Sequence, residues 1–145
     1  MTILAETLIK EEEGLELTSY QDTLGNWTIG YGHLLPEDYD WEGKRIGLPE
    51  AENLLEEDLE RALGLAADFP HFGDLNEVRQ AALVSMCYQM GDGPLHWPKF
   101  MEALQRQDYD AAAAAGLASL WARQTPARAQ REMVMLRTGE WAVSA

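Results

Sequence analysis

The chain has 145 residues, 46% of them hydrophobic and 25% charged, which fits one domain with a packed core and excludes a disordered chain. Its formal net charge of −14 excludes non-specific nucleic-acid binding, which needs cations to release phosphate counterions, and equally excludes an anionic membrane surface as partner. The single cysteine, Cys87, rules out an internal disulfide and, set in an apolar run, reads as a buried thiol.

The first predicted element is a short amphipathic helix from Thr2 to about Glu13, with Thr2 as its N-cap. Ile3 or Leu4 with Leu8 and Ile9 makes the apolar stripe, and Gly14 supplies a left-handed C-cap. From Leu15 to Leu35 the residues change to β-formers, among them Thr18, Tyr20, Trp27, Thr28, Ile29 and Tyr31. Leu24-Gly25-Asn26 is a turn signal between them, so a β-hairpin is expected, with room for a third short strand. Gly30 and Gly32 flank Tyr31, and glycines in a strand suggest close approach of backbone or ligand.

Residues 36–48 read as a loop. A helix begins near Pro49 and ends by Phe69-Pro70, with Ala51, Leu54, Leu55, Leu59, Ala62, Leu63 and Ala66 on one face. Asn76 to Met90 is apolar nearly all round and should be a buried helix, stopped by Gly91-Asp92-Gly93-Pro94. A short helix over 100–105, one alanine-rich helix over 108–122 and a last helix from Pro126 to Arg137 complete the pattern. The fold class is α+β and mostly helical. A single domain is expected over 1–145: a small lobe at about 14–50 carrying the hairpin, a linking helix at about 49–68, and a helical lobe at about 70–145 plus helix 2–13.

Glu13 at a helix end and Asp22 in the hairpin are two carboxylates on different elements. Facing each other across a cleft, such a pair suits glycoside hydrolysis, in which one carboxyl protonates the leaving oxygen and the other activates water. Negative charge from Glu11, Glu12 and the helix C-terminus favours the acid role for Glu13. Asp22 is the better base, and Thr28 on the facing strand is placed to hold a water beside it. By spacing alone, the same residues also fit a solvated helix end and a surface hairpin.

The run from Glu13-Gly14 through Tyr20, Asp22, Gly25 and Thr28-Ile29-Gly30 to Gly32-His33 closely resembles the active-site segment of the tailed-phage lysozymes, or endolysins. The resemblance continues in Arg79-Gln-Ala-Ala-Leu83 and Tyr88-Gln89-Met90-Gly91. It returns in Trp121 to Arg131 and in Leu136-Arg137-Thr138-Gly139-Glu140-Trp141, so it spans nearly the whole chain. It implies a lysozyme-like fold and an N-acetylmuramidase that cleaves bacterial peptidoglycan, with inversion in most of the family. By position Glu13 would be the general acid, Asp22 the base and Thr28 a holder of the water.

The resemblance also implies that Arg128 pairs with Glu13, opposing the effects that favour its protonated form. It brings His33, Leu34, Tyr88, Gln89 and Phe100 to the substrate wall. Glu12 and Arg131 are expected to form a second, purely structural pair. Left to themselves, His33 also reads as a satisfied hairpin histidine, Tyr88 as a packed side chain and Gln89 as a helix-end cap. No metal or cofactor is expected. Asp38 to Gly43 resembles the start of an EF-hand loop, but its twelfth position is Pro49 where a glutamate is needed. Bacterial peptidoglycan is the expected partner, and the protein is expected to act as a monomer.

No stretch approaches the ~18 apolar residues that cross a bilayer. The start of the chain lacks a basic region and its apolar run is broken by Glu6, unlike a signal peptide. Residence in the host cytoplasm until release is therefore expected. Asn26-Trp27-Thr28 matches the glycosylation pattern but is idle without secretion.

The chain departs from the family in two respects. The loop between Leu35 and Pro49 is shortened, leaving Tyr39 and Trp41 as candidates for stacking on sugar. The charge is strongly acidic, and it is uneven: residues 1–60 hold 16 acidic and 3 basic residues, against 9 and 8 in the remainder. A catalytically silent wall-binding protein and an acidic interaction module are the competing readings.

Overall fold

The computed structural model describes residues 2–142. Helix α1 (Thr2–Glu13) leads into a three-stranded antiparallel sheet of β1 (Glu16–Gln21), β2 (Trp27–Gly30) and β3 (His33–Leu34) in that spatial order. The expected C-cap is present: Gly14 has φ +71° and its N–H donates to Lys10 O. The side chain of Thr2, expected as the N-cap, lies outside the described residues.

Tyr20 pairs with Thr28 and Gln21 with Trp27 across the hairpin, while Thr28 faces Leu34 and Ile29 faces His33 on the third strand. The turn at 22–26 closes through Asp22 N–H to Asn26 O and Gly25 N–H to Asp22 O, with Gly25 at φ +84°. This register sets Thr28 in the middle of the sheet beside the hairpin turn that carries Asp22.

The loop that follows runs back along the free edge of β1. Ser19 N–H donates to Lys44 O, Ile46 N–H donates to Leu17 O, and Ser19 Oγ bonds the carbonyl of Trp41. Tyr39 and Trp41 pack on each other with ring centroids 4.6 Å apart, and the Trp41 indole N–H donates to Pro36 O.

Helix α2 (Leu48–Ala66) leaves this region, contacts β2 and β3, and packs on α3 (Glu77–Met90). The latter is the central rod of the molecule. It packs against α1, α2 and α7 (Pro126–Thr138), and residues 80–87 are buried without a break. Its start is capped by Asn76, whose side chain accepts from Arg79 N–H. Burial in this apolar setting pushes the Cys87 thiol up to about 12, so it is an inert packing residue.

Between α3 and α7 lie α4 (Pro98–Gln105), α5 (Tyr109–Leu117) and α6 (Leu120–Gln124). The single alanine-rich helix expected over 108–122 is thus two helices. The break is a capping event: Ser119 Oγ accepts from Ala122 N–H and starts α6, while its own N–H donates back to Gly116 O. Helix propensity alone favours continuation through Ala118, and the cap overrides it.

The end of α7 is tied to the start of α3. Arg79 gives Nε to Leu136 O at 2.7 Å and Nη2 to Arg137 O at 2.9 Å, and its guanidinium lies over the Tyr109 ring at 4.2 Å. These carbonyls are among the orphans that every helix end must satisfy. Arg79→Ala is expected to lower stability by about 1–3 kcal/mol, read as a shifted urea midpoint, because it strips two acceptors and a ring contact at once.

Candidate active site

A groove of about 1010 Å³ runs between the sheet and the helices, with walls from α1, the hairpin, β3, α2, the end of α3, α6 and the start of α7. That is at the large end for small-molecule sites and suits an extended ligand. Glu13, Asp22 and Thr28 all line it, and so do His33, Leu34, Tyr88, Gln89 and Arg128.

Glu13 sits at the C-terminus of α1 with its side chain 17% exposed. Its Oε2 accepts from Arg128 Nη1 at 2.6 Å. Its Oε1 reaches Gly32, where a Cβ would stand only 2.2 Å from that oxygen. Gly32 also has φ +69°, so neither the backbone nor the space admits a side chain. The glycine between Tyr31 and His33 is therefore the seat of the Glu13 carboxyl.

Asp22 is fixed by the hairpin turn. Its Oδ1 accepts from Leu24 N–H at 2.9 Å and from Asn26 N–H at 2.8 Å. Among the described residues its Oδ2 has only a long contact, 3.4 Å, with the Asn26 amide. Thr28 is buried, and its hydroxyl donates to Asn26 O at 3.0 Å, which leaves its oxygen lone pairs free to accept.

Arg128 is the hub behind Glu13. Besides Glu13 it gives Nε to Glu132 Oε2 at 3.1 Å and Nη2 to Ser85 Oγ at 2.9 Å. Burial works against its charge, but the carboxylates of Glu132 and Glu13 outweigh burial and hold the guanidinium protonated. Beside it, Arg131 Nε and Nη2 grip the two oxygens of Glu12 at 2.8 and 2.6 Å, the structural pair expected from the sequence.

The outer wall adds two groups that the sequence reading did not single out, Asp58 and Arg61. His33 Nδ1 lies 2.7 Å from Oδ2 of the buried Asp58, whose Oδ1 holds Arg61 Nη2 at 2.9 Å. The Trp121 indole N–H donates to Gln89 Oε1 at 2.7 Å, and the Tyr88 hydroxyl donates to Tyr31 O. Gln89 thus fastens Trp121 rather than capping a helix end. Burial pushes the Tyr88 phenol well above its usual range, so it stays a neutral donor.

Two expectations are corrected. Phe100 does not line the groove: it is fully buried in the core, edge-on to Phe69 and Trp97 at 5.9 and 5.5 Å between ring centroids. Its large apolar ring is best served by dry packing. Tyr39 and Trp41 are likewise absent from the groove walls, because the loop that carries them runs along the opposite edge of β1.

The family model for phage lysozyme matches residues 10–135. The chain belongs to the phage lysozyme family. It is a lysozyme-type hydrolase of peptidoglycan. Among its relatives is the probable T4-type lysozyme 2 of Dictyostelium discoideum, 29% identical over 91% of this chain and 92% of that one. The endolysin of Salmonella phage P22 is 33% identical over 79% and 78% of the two chains. The pre-baseplate central spike protein Gp5 of Enterobacteria phage T4 is 31% identical over 91% of this chain but only 27% of its own length. The matched span takes in every groove residue named above, from Glu12 to Arg131.

Glu132 was visible in the sequence only as one acid among many. It is fully buried, accepts from Ser85 Oγ at 2.5 Å, and leaves its Oε1 without a partner among the described residues. Burial raises its pKa above the ordinary 4.5, against the lowering pull of Arg128 and Ser85. The folded protein then holds this proton more tightly than the unfolded chain. The associated stability is complete below about pH 4.5 and is lost as pH rises through the higher folded value. Glu132→Gln cannot ionise, so the stability of wild type relative to this variant, from urea unfolding, is expected to fall as pH rises above the ordinary carboxylate range. A wild-type advantage that grows with this rise in pH would show that pairing with Arg128 outweighs burial.

Proposed function

We propose that this lysozyme cleaves the β-1,4 bond between N-acetylmuramic acid and N-acetylglucosamine, with Glu13 as general acid and Asp22 as general base. The observation that carries the reading is the pair itself: two carboxyls on different elements lining one groove, Glu13 held through Oε2 by Arg128 and Asp22 held through Oδ1 by the backbone N–H groups of its own turn. In the reaction, Glu13 gives a proton to the glycosidic oxygen as its bond to the anomeric carbon breaks. A water on the far side of the sugar forms the new C–O bond and passes a proton to Asp22. One O–H of that water would point to Asp22 Oδ2 and the other to the free lone pairs of Thr28, leaving its own lone pair aimed at carbon. Attack opposite to the leaving oxygen inverts the anomeric centre.

Arg128 acts as support by holding Glu13 through Oε2, which fixes the carboxyl at the groove wall. His33, Leu34, Tyr88 and Gln89 line the glycan path. Gln89, with its carbonyl oxygen on Trp121, has its amide N–H groups left for the substrate. The groove then lies between a sheet lobe at about 14–50 and a helical lobe formed by α1 and residues from about 70 onward, with α2 joining them. No described helix is long and apolar enough to cross a membrane. We read the protein as a monomer that reaches the wall after release from a host cytoplasm, and the likeness to Gp5 supports the alternative of a lysozyme unit carried on a phage particle.

The test is turbidity loss of outer-membrane-permeabilised Gram-negative cells, with reducing-end analysis of the products. Wild type is expected to lyse and to release free reducing ends. Glu13→Gln is expected to be slower by roughly 100-fold or more. An inert wild type would favour a silent wall-binding protein. An equally active variant would remove Glu13 from the mechanism, and anhydro products would replace hydrolysis by transglycosylation.

A further inference from the structure

Three arginines line the groove: Arg61, Arg128 and Arg131. Two of them are committed. Arg128 is buried and divided among Glu13, Glu132 and Ser85, and Arg131 spends Nε and Nη2 on Glu12. Arg61 differs. Its side chain is 64% exposed, and among the described residues its one ion pair is Nη2 to Asp58 Oδ1. Glu57 and Glu60 lie near it in sequence on the same helix, yet neither pairs with it among the described residues.

The anchor is what gives this arginine a fixed place. Asp58 projects from the buried face of α2, its side chain 5% exposed, and its second oxygen holds His33 of β3. One buried carboxylate therefore grips a group from the helix and a group from the sheet on the same wall of the groove. A guanidinium tethered by one nitrogen keeps a planar face of donors, matched in geometry to a carboxylate and permanently charged. In a chain of net charge −14, an open arginine in the groove is a selective feature rather than a diffuse field.

We propose that Arg61 is a specificity residue that binds a carboxylate carried by the glycan substrate. This rests on the peptidoglycan reading and deepens it. The carboxylate has two chemical sources: the lactyl group of a muramic acid without its stem peptide, or an acidic residue of the stem. The neutral N-acetylglucosamine chain has neither, so Arg61 would separate muramic-acid glycans from neutral ones by an interaction remote from the bond that breaks.

The experiment measures binding by calorimetry in a Glu13→Gln background, which stops turnover. Three tetrasaccharides serve as probes: one with stem peptides, one with the stems removed and lactyl carboxylates free, and an N-acetylglucosamine tetramer. Adding Arg61→Met, which keeps the apolar stem, is expected to weaken binding of a carboxylate-bearing glycan about 5- to 10-fold and to leave the neutral tetramer unchanged. Arg61→Lys should recover part of the loss. A loss confined to the first probe identifies the stem as the source, and a loss on the stripped glycan identifies the lactyl group. Unchanged affinity for both carboxylate-bearing probes, or equal weakening on all three, would overturn the proposal. Failure of the Glu13→Gln parent to bind any of the three would overturn the peptidoglycan reading along with it.

Discussion

A guanidinium buried among two carboxylates and a serine is the constraint around which this lysozyme is built. Taking a charge out of water costs several kcal/mol, and the cost is offset only by close, well-directed partners. Arg128 finds them on three helices: Glu13 on α1, Ser85 on α3, and Glu132 on its own helix, α7. The central helix must therefore be polar where it meets Arg128, and Ser85 is the residue at that point. The end of α1 must meet α7, and Gly32 must lack a side chain so that the Glu13 carboxyl has room on its other flank. A truncation at Arg128 would leave two buried or half-buried acids facing each other, a worse outcome than the loss of a single bond.

The same logic explains how an acidic protein keeps a workable groove. Most of the charge of −14 lies in the first 60 residues, and part of it is neutralised locally: Lys10 bridges Glu6 and Glu52, Arg131 covers Glu12, and Arg61 covers Asp58. Inside the groove the acids are held individually, by guanidinium for Glu13 and by backbone N–H groups for Asp22. The two carboxyls are held by different kinds of partner, one by a side-chain cation and the other by the backbone of its own turn. The excess negative charge is thus a property of the exterior more than of the chemistry.

Much of this was legible in the residues. The helix ending at Gly14, the hairpin around Gly25, the glycine pair about Tyr31 and the buried helix over 76–90 follow from local pattern and stereochemistry, and the Glu13–Arg128 contact follows from family resemblance. The break at Ser119 was missed because alanine propensity masked a cap signal. Phe100 was misplaced because an aromatic in a helix looks alike from sequence whether it faces a cleft or a core. Asp58 and Glu132 were missed although a signal existed. Each sits at i+3 or i+4 from apolar residues on a buried stripe, Asp58 after Leu55 and Glu132 after Ala129. An acid on a buried stripe demands a cation or donor opposite, but which one depends on long-range packing, and nothing local names His33 or Ser85.

The central claim is that the forked geometry of Arg128, not merely its positive charge, holds Glu13 for catalysis. Arg128→Lys keeps the charge and most of the length but cannot serve Glu13, Glu132 and Ser85 together. The most direct measurement is kcat and KM of this variant on soluble peptidoglycan fragments, alongside its urea midpoint. A folded variant with kcat lowered at least about 10-fold and KM little changed is the expected result, since a displaced general acid loses transition-state stabilisation and not ground-state binding. A folded variant with wild-type kcat would contradict it.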